Sequence, residues 1–229
     1  MDLNAAWRTD LVFDHATVLV NDLEAADARM RTEFGLGSVA GGTFPHMPGF
    51  VARLVPMQEG YLELLALTDR KLPQSEESQS TLEHLDLYGE HIAGWALRTD
   101  RLDEAATDLG LDTCGPGRWM LEGATFEVRY LWIAPDEDPP SMPWLVQYEN
   151  FEFLRAFMDR ALAETEHERR PLRVEALEIG GNLQEIEERV SSPVPIQTAP
   201  GPDRVAAIVI ATPDGPIELR WEGGQERRT

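Results

Sequence analysis

The chain has little that would tie it covalently or anchor it in a bilayer. Among its 229 residues there is one cysteine, Cys114. An intramolecular disulfide is therefore excluded, and a reducing compartment, the cytoplasm, is the expected location. No run of 18 apolar residues occurs, so no membrane-spanning helix is expected. The first residues, MDLNAAWRTDLVFDH, lack a basic region followed by an apolar stretch, so no secretory signal is expected. Basic residues are scarce. Twenty Lys and Arg face 41 Asp and Glu, a formal net charge of −21. Phosphate backbones and anionic membrane surfaces repel such a chain, and its basic pairs are short: Arg169–Arg170 and Arg227–Arg228. Nucleic acid and membrane are thus not expected as partners. A Gly-rich phosphate loop, G-x-S-x-G and paired zinc-binding cysteines are also missing.

What is present is a repeated order of elements. Residues 13–20, FDHATVLV, alternate as a strand with two faces. In the next stretch Asn21 or Asp22 can cap a helix on which Leu23, Ala26, Met30 and Phe34 recur at helical spacing, ended by Gly35 and Gly37. A short strand near Ser38–Ala40 follows. Then Phe50–Met57 and Tyr61–Leu67 form a hairpin across Gln58-Glu59-Gly60. The unit reads β-α-β-β-β. A second copy places strands at Gly94–Asp100, Phe126–Ile133 and Pro143–Glu149, with a short helix after the first. A reduced third copy begins at Arg173–Ile179, has a helix capped by Asn182, and turns at Pro213-Asp214-Gly215. These spacings predict a first unit at 10–68, a connector at 69–90, and a second unit at 91–150 paired with the first. A connecting helix follows at 151–168 and the third unit at 169–222. Residues 74–80 of the connector are of low complexity, and a helical turn is predicted at Thr81–Leu87.

Asp14-His15, Leu19, Asp22-Leu23 and Ala25-Ala26, closed by Gly60-Tyr61-Leu62-Glu63-Leu64, resemble the glyoxalase-like domain of the vicinal oxygen chelate (glyoxalase and bleomycin resistance) superfamily. The stretch Gly41–His46 followed by Arg53–Pro56 is similar to its branch with short N-terminal repeats. The resemblance implies an α+β fold of repeated βαβββ units. Their mixed, curved sheet would form an open half-barrel with the helices outside. It also implies a metal site with one ligand from each of four strands, two per unit.

On the strand alternation, His15 shares a face with Thr17 and Leu19, and Glu63 shares one with Tyr61 and Leu65. The family's sheet order implies that these strands are neighbours and that both side chains meet on the concave surface. Imidazole and carboxylate suit one divalent ion, Mn, Fe, Co, Ni or Zn. Such an ion would stabilise an oxyanion on a small oxygen-rich substrate, with Glu63 as general base, in a lyase, isomerase or dioxygenase. In the second unit Gly94 stands where His15 stood and offers no ligand. Gln147 stands near the place of Glu63 as a weaker oxygen ligand, and His46 fills the gap if its loop folds over the cleft. A His15–Glu63 polar pair without metal is the competing reading. With it goes a metal-free binding or resistance protein using the same cleft. Arg53 and Arg129 hold matching places and, with Arg98, are candidates to clamp an anionic small molecule; pairing with the abundant acids is the alternative. Trp119, Trp132 and Trp144 line a pocket or fill the core. His84 and His91 are expected to face solvent, and Cys114 to be buried or inert. The third unit, whose Glu218 and Glu175 are a poor soft-metal pair, is read as structural or as a homodimer contact.

Overall fold

The structure, a computed structural model, describes residues 6–69, 71–72, 75–133, 141–181 and 183–221. The expected cap Asn182 and the basic pair Arg227–Arg228 lie outside them. A short helix α1 (Ala6–Thr9) leads into β1 (Val12–Leu19), α2 (Leu23–Phe34), β2 (Val39–Thr43), β3 (Phe50–Pro56) and β4 (Tyr61–Leu67). The connector is a helix, α3 (Glu76–Tyr88). After it come β5 (His91–Arg98), α4 (Leu102–Leu109), β6 (Cys114–Leu121), β7 (Ala124–Trp132) and β8 (Trp144–Tyr148). Helix α5 (Phe151–Glu164) precedes β9 (Arg173–Ile179), α6 (Leu183–Arg189), β10 (Ile196–Thr198), β11 (Val205–Ala211) and β12 (Ile217–Leu219). Among the described residues no helix is long and apolar enough to cross a membrane.

Eight strands in the order β1-β4-β3-β2-β6-β7-β8-β5 curl into a closed barrel, rather than the open half-barrel expected. The two halves meet at unequal seams. At one, β1 and β5 pair along seven positions. At the other, β2 and β6 share a single pair, Thr43 with Met120, and that pair closes the ring. Within the halves β1 runs parallel to β4, and β5 parallel to β8. The remaining strands form a separate sheet, β10-β9-β11-β12. Its elements follow the β-α-β-β-β order along the chain, yet β9 lies between β10 and β11 instead of beside the last strand.

Two apolar layers result. Outside the barrel, Ala26, Met30 and Phe34 of α2 join Val18, Leu62 and Leu64 in one cluster. The same cluster takes in Trp95 and Leu97 of β5 and Leu177, Ile208 and Ile210 of the second sheet. Asp22 caps α2 by accepting from the Glu24 and Ala25 amides, and Gly35, at φ 69°, ends it in the left-handed region open to glycine. Arg8 of α1, 2% exposed, donates to the carbonyl of Arg189 at the end of α6 and lies 3.6 Å from Asp108 of α4. It thereby ties the second sheet's helix to the barrel. Inside the barrel, Phe50, Leu54, Trp119, Phe126 and Val146 form the second cluster, joined by Leu154, Phe157 and Met158 of α5.

The segment after α5 folds back on the first unit through His167. Its Nδ1 accepts from the Gly37 amide at 3.2 Å, while Nε2 is buried without a partner. Burial, with Arg31 and Arg170 nearby, lowers its pKa to about 4. The native state therefore binds fewer protons than the unfolded chain between about pH 6.5 and 4, so stability is full above that window and lost as pH falls through it. The full shift corresponds to roughly 3 kcal/mol, and because the ring is only half-buried, urea melts should show a loss of roughly 2 kcal/mol across the window. His167→Gln, which keeps an acceptor for Gly37, should flatten that slope.

Candidate functional site

The barrel encloses a cavity of about 1020 Å³. Its wall is built where β1 and β4 run side by side, with His15 opposite Tyr61 and Thr17 opposite Glu63. Thr17 Oγ1 donates to Glu63 Oε2 at 2.9 Å. The other carboxylate oxygen of Glu63 has no hydrogen-bond partner among the described residues, and Glu63 lines the cavity. Burial raises the pKa of Glu63, and the charge of Asp14 adds to this; His15 and the Thr17 hydrogen bond pull the other way.

Behind His15 lies a group that strand alternation hides. The β1–β5 register shifts between Phe13 and His15, leaving Asp14 as an extra residue. Asp14, 5% exposed, therefore reaches the same polar cluster as His15. Its Oδ2 pairs with His15 Nδ1 at 2.7 Å and accepts from the Tyr148 hydroxyl at 2.6 Å. Because that hydroxyl donates to Asp14, Tyr61 donates to Tyr148, at 3.2 Å. The network holds a proton on His15 Nδ1, facing the Asp14 carboxylate. Burial, then the charge of Asp14, holds both tyrosines well above their ordinary pKa, so both stay protonated as donors. The His15 ring stacks on Tyr61, centroids 4.8 Å apart, and meets Trp144 edge-on at 5.5 Å.

The second half of the barrel contributes rings where the resemblance implied ligands. A Cβ on Gly94 would lie 2.6 Å from the Trp144 ring, so Trp144 takes the space of any side chain there. On β8 the residues in the inner cluster are Trp144, Val146 and Tyr148. Gln147 has the opposite parity. Its amide donates to the Asp100 carbonyl and its oxygen accepts from Arg129, away from the cavity. Among the described residues the donor set is therefore His15 and Glu63 from one half, with no counterpart at Gly94 of β5 or Gln147 of β8. Among the described residues no group of three or more His, Cys, Asp or Glu could hold a metal ion. Two facing donors do not fit a four-ligand divalent centre.

Of the other predicted residues, His46 lines the cavity, its Nδ1 within hydrogen-bond reach of the Arg118 carbonyl at 2.9 Å and the Arg118 amide at 3.1 Å. The arginines do not line it. Arg53 bonds to Ser38 and pairs with Asp27, and Arg129 pairs with Asp103. Arg98 lies over the Phe151 ring. For Arg53 and Arg129 the expected clamp is thus replaced by pairing with acids, in keeping with the chain's excess of carboxylates. Trp119, Trp132 and Trp144 all line the cavity. Helix α3 crosses its mouth, with Thr81, Glu83 and His84 facing in and Leu85 buried in the inner cluster. His84 is therefore part of the lining, His91 is buried at 3% exposure, and Cys114 is exposed at the rim. Asp14, Tyr148 and α3 are the site elements that the sequence alone does not reveal.

The family model described as the glyoxalase-like domain matches residues 13–193, and the chain belongs to that family. No curated protein matches significantly. Among solved structures, a hypothetical protein from Staphylococcus aureus is similar over 94% of this chain and 87% of its own, at 15% identity and a TM-score of 0.59. Methylmalonyl-CoA epimerase from Mycobacterium tuberculosis matches 64% of this chain and 91% of its own, at 20% identity and a TM-score of 0.46. A Streptomyces coelicolor methylmalonyl-CoA epimerase variant in complex with 2-nitronate-propionyl-CoA matches 59% and 95%, at 19% identity and a TM-score of 0.45. At these identities the likeness concerns the fold alone.

Proposed function

We propose that this glyoxalase-like chain binds a small organic molecule in its barrel cavity without a resident metal ion, with His15 and Glu63 as the polar contacts. One observation carries the reading: Gly94, the place for a ligand in the second half, lies under the Trp144 ring, which a coordinating side chain would strike. The volume and the aromatic lining suit a small-molecule site.

A second reading is favoured by the Asp14–His15 pair. A carboxylate that holds a proton on His15 Nδ1, with Glu63 on the neighbouring strand, is an arrangement suited to general acid–base work. In that case the bound molecule undergoes proton transfer, as in an isomerase or lyase, with His15 as base and the Glu63 carboxyl as acid.

Elemental analysis of untagged protein prepared without chelators tests the metal-free reading shared by both. The expected result is less than a tenth of an equivalent, roughly, of any of Mn, Fe, Co, Ni or Zn, before and after incubation with each. Near-stoichiometric metal in the wild type, lost in both His15→Ala and Glu63→Gln, would overturn it.

A further inference from the structure

The cavity carries carboxylates and rings but, among the described residues, no lysine or arginine faces it. Glu63 presents an oxygen on the wall, Asp14 stands behind His15, and Glu83 of α3 stands at the mouth. His15, His46 and His84 line it as well. Ring faces surround this acidic wall. Trp132 and Trp144 lie 5.3 Å apart, Phe44 stacks with Trp119 at 5.8 Å, and Tyr61 lies 6.2 Å from Trp119. An organic anion entering here would give up its hydration and, among the described residues, find no lysine or arginine to replace it. An organic cation would exchange water for a carboxylate and for the negative faces of the rings. The net charge of −21 favours the same sign at long range.

We infer that the cavity selects a flat, largely apolar organic cation, an amine or amidinium, whose charged end lies against Glu63 and whose body lies among Trp119, Trp132 and Trp144. This rests on the reading of the cavity as the ligand site and reverses the anionic ligand expected from Arg53 and Arg129. The burial that raises the Glu63 pKa is relieved when a cation stands beside it, so the carboxylate form is the one the ligand stabilises.

Three probes of one shape separate the possibilities: 1-naphthylmethylammonium, 1-naphthalenemethanol and 1-naphthoate, titrated calorimetrically at pH 7.5 into the full chain. The ammonium is expected to bind at least about tenfold more tightly than the alcohol, and the naphthoate more weakly than both. Glu63→Gln, which keeps the shape and an acceptor for Thr17, should remove the ammonium's advantage over the alcohol. Thermal melts check that the variant is folded, and the wild-type ranking stands without it. Naphthoate binding as tightly as the ammonium, or an advantage that survives in folded Glu63→Gln, would overturn the inference while leaving the cavity as a ligand site. No binding of any of the three would overturn both.

Discussion

Asp14→Ala is expected to destabilise the protein by about 3–5 kcal/mol, among the largest effects of any single polar substitution in the chain. The Asp14 carboxylate is buried and takes two contacts at one oxygen, from His15 Nδ1 and from the Tyr148 hydroxyl. Its removal leaves two buried donors without partners, each costing roughly 1–3 kcal/mol, and the Tyr61 hydroxyl loses the direction set by the chain. Asp14→Asn keeps the shape and an acceptor oxygen and should cost about half as much. Urea denaturation at pH 7.5 measures both. Tyr148→Phe removes one of the two donors, so Asp14→Ala combined with Tyr148→Phe should cost less than the sum of the two alone, by about 1 kcal/mol or more. Strict additivity would mean that the hydrogen-bonded chain does not act as a unit.

The second large effect concerns Trp144 and Gly94. Trp144→Ala is expected to cost about 3–5 kcal/mol, since the ring is 8% exposed and packs against Trp132 and His15. Gly94→Ala is expected to cost about 1–3 kcal/mol, because its methyl would lie 2.6 Å from that ring. The informative variant is the pair. With Trp144 already alanine, the Gly94 substitution should cost little, a coupling of about 1 kcal/mol or more in a double-mutant cycle. If Gly94→Ala costs the same in both backgrounds, the tryptophan does not hold the space that a second-half ligand would need.

The first half of the barrel is legible in the sequence because its local rules agree with its packing. Asp22 and Gly35 bound α2 as its spacing predicts, and Ala26, Met30 and Phe34 are buried on the predicted face. The parallel pairing of β1 with β4 places His15 and Glu63 on one wall, as the resemblance implies. The misses have physical causes. Alternation assumes an unbroken strand, and the irregularity after Phe13 brings Asp14 to the side where alternation places only His15. A one-residue difference in register turns Gln147 outward and Tyr148 inward. Strand β6, Cys114–Leu121, is not among the strands expected, since two glycines and a proline stand in its first four residues; it pairs with β7 across a register shift and with β2 at one position. Of helix α3 only a helical turn at Thr81–Leu87 is legible in the sequence, because few of its residues are apolar. Leu82 and Leu85 reach the inner cluster while its polar side chains face the cavity mouth. The arginine placement rests on acids distant in sequence, Asp27 for Arg53 and Asp103 for Arg129, which no local pattern reveals.

The central claim, a cavity that takes its ligand on Glu63 and the tryptophans without help from a metal, has one direct test. 1-Naphthylmethylammonium is titrated calorimetrically into chelator-treated protein and, in parallel, into protein incubated with Zn, Mn or Ni. The same affinity in every sample is the predicted result, with binding lost in Trp144→Ala. Binding that appears only after a metal is supplied would contradict the account and return His15 and Glu63 to the role of metal ligands.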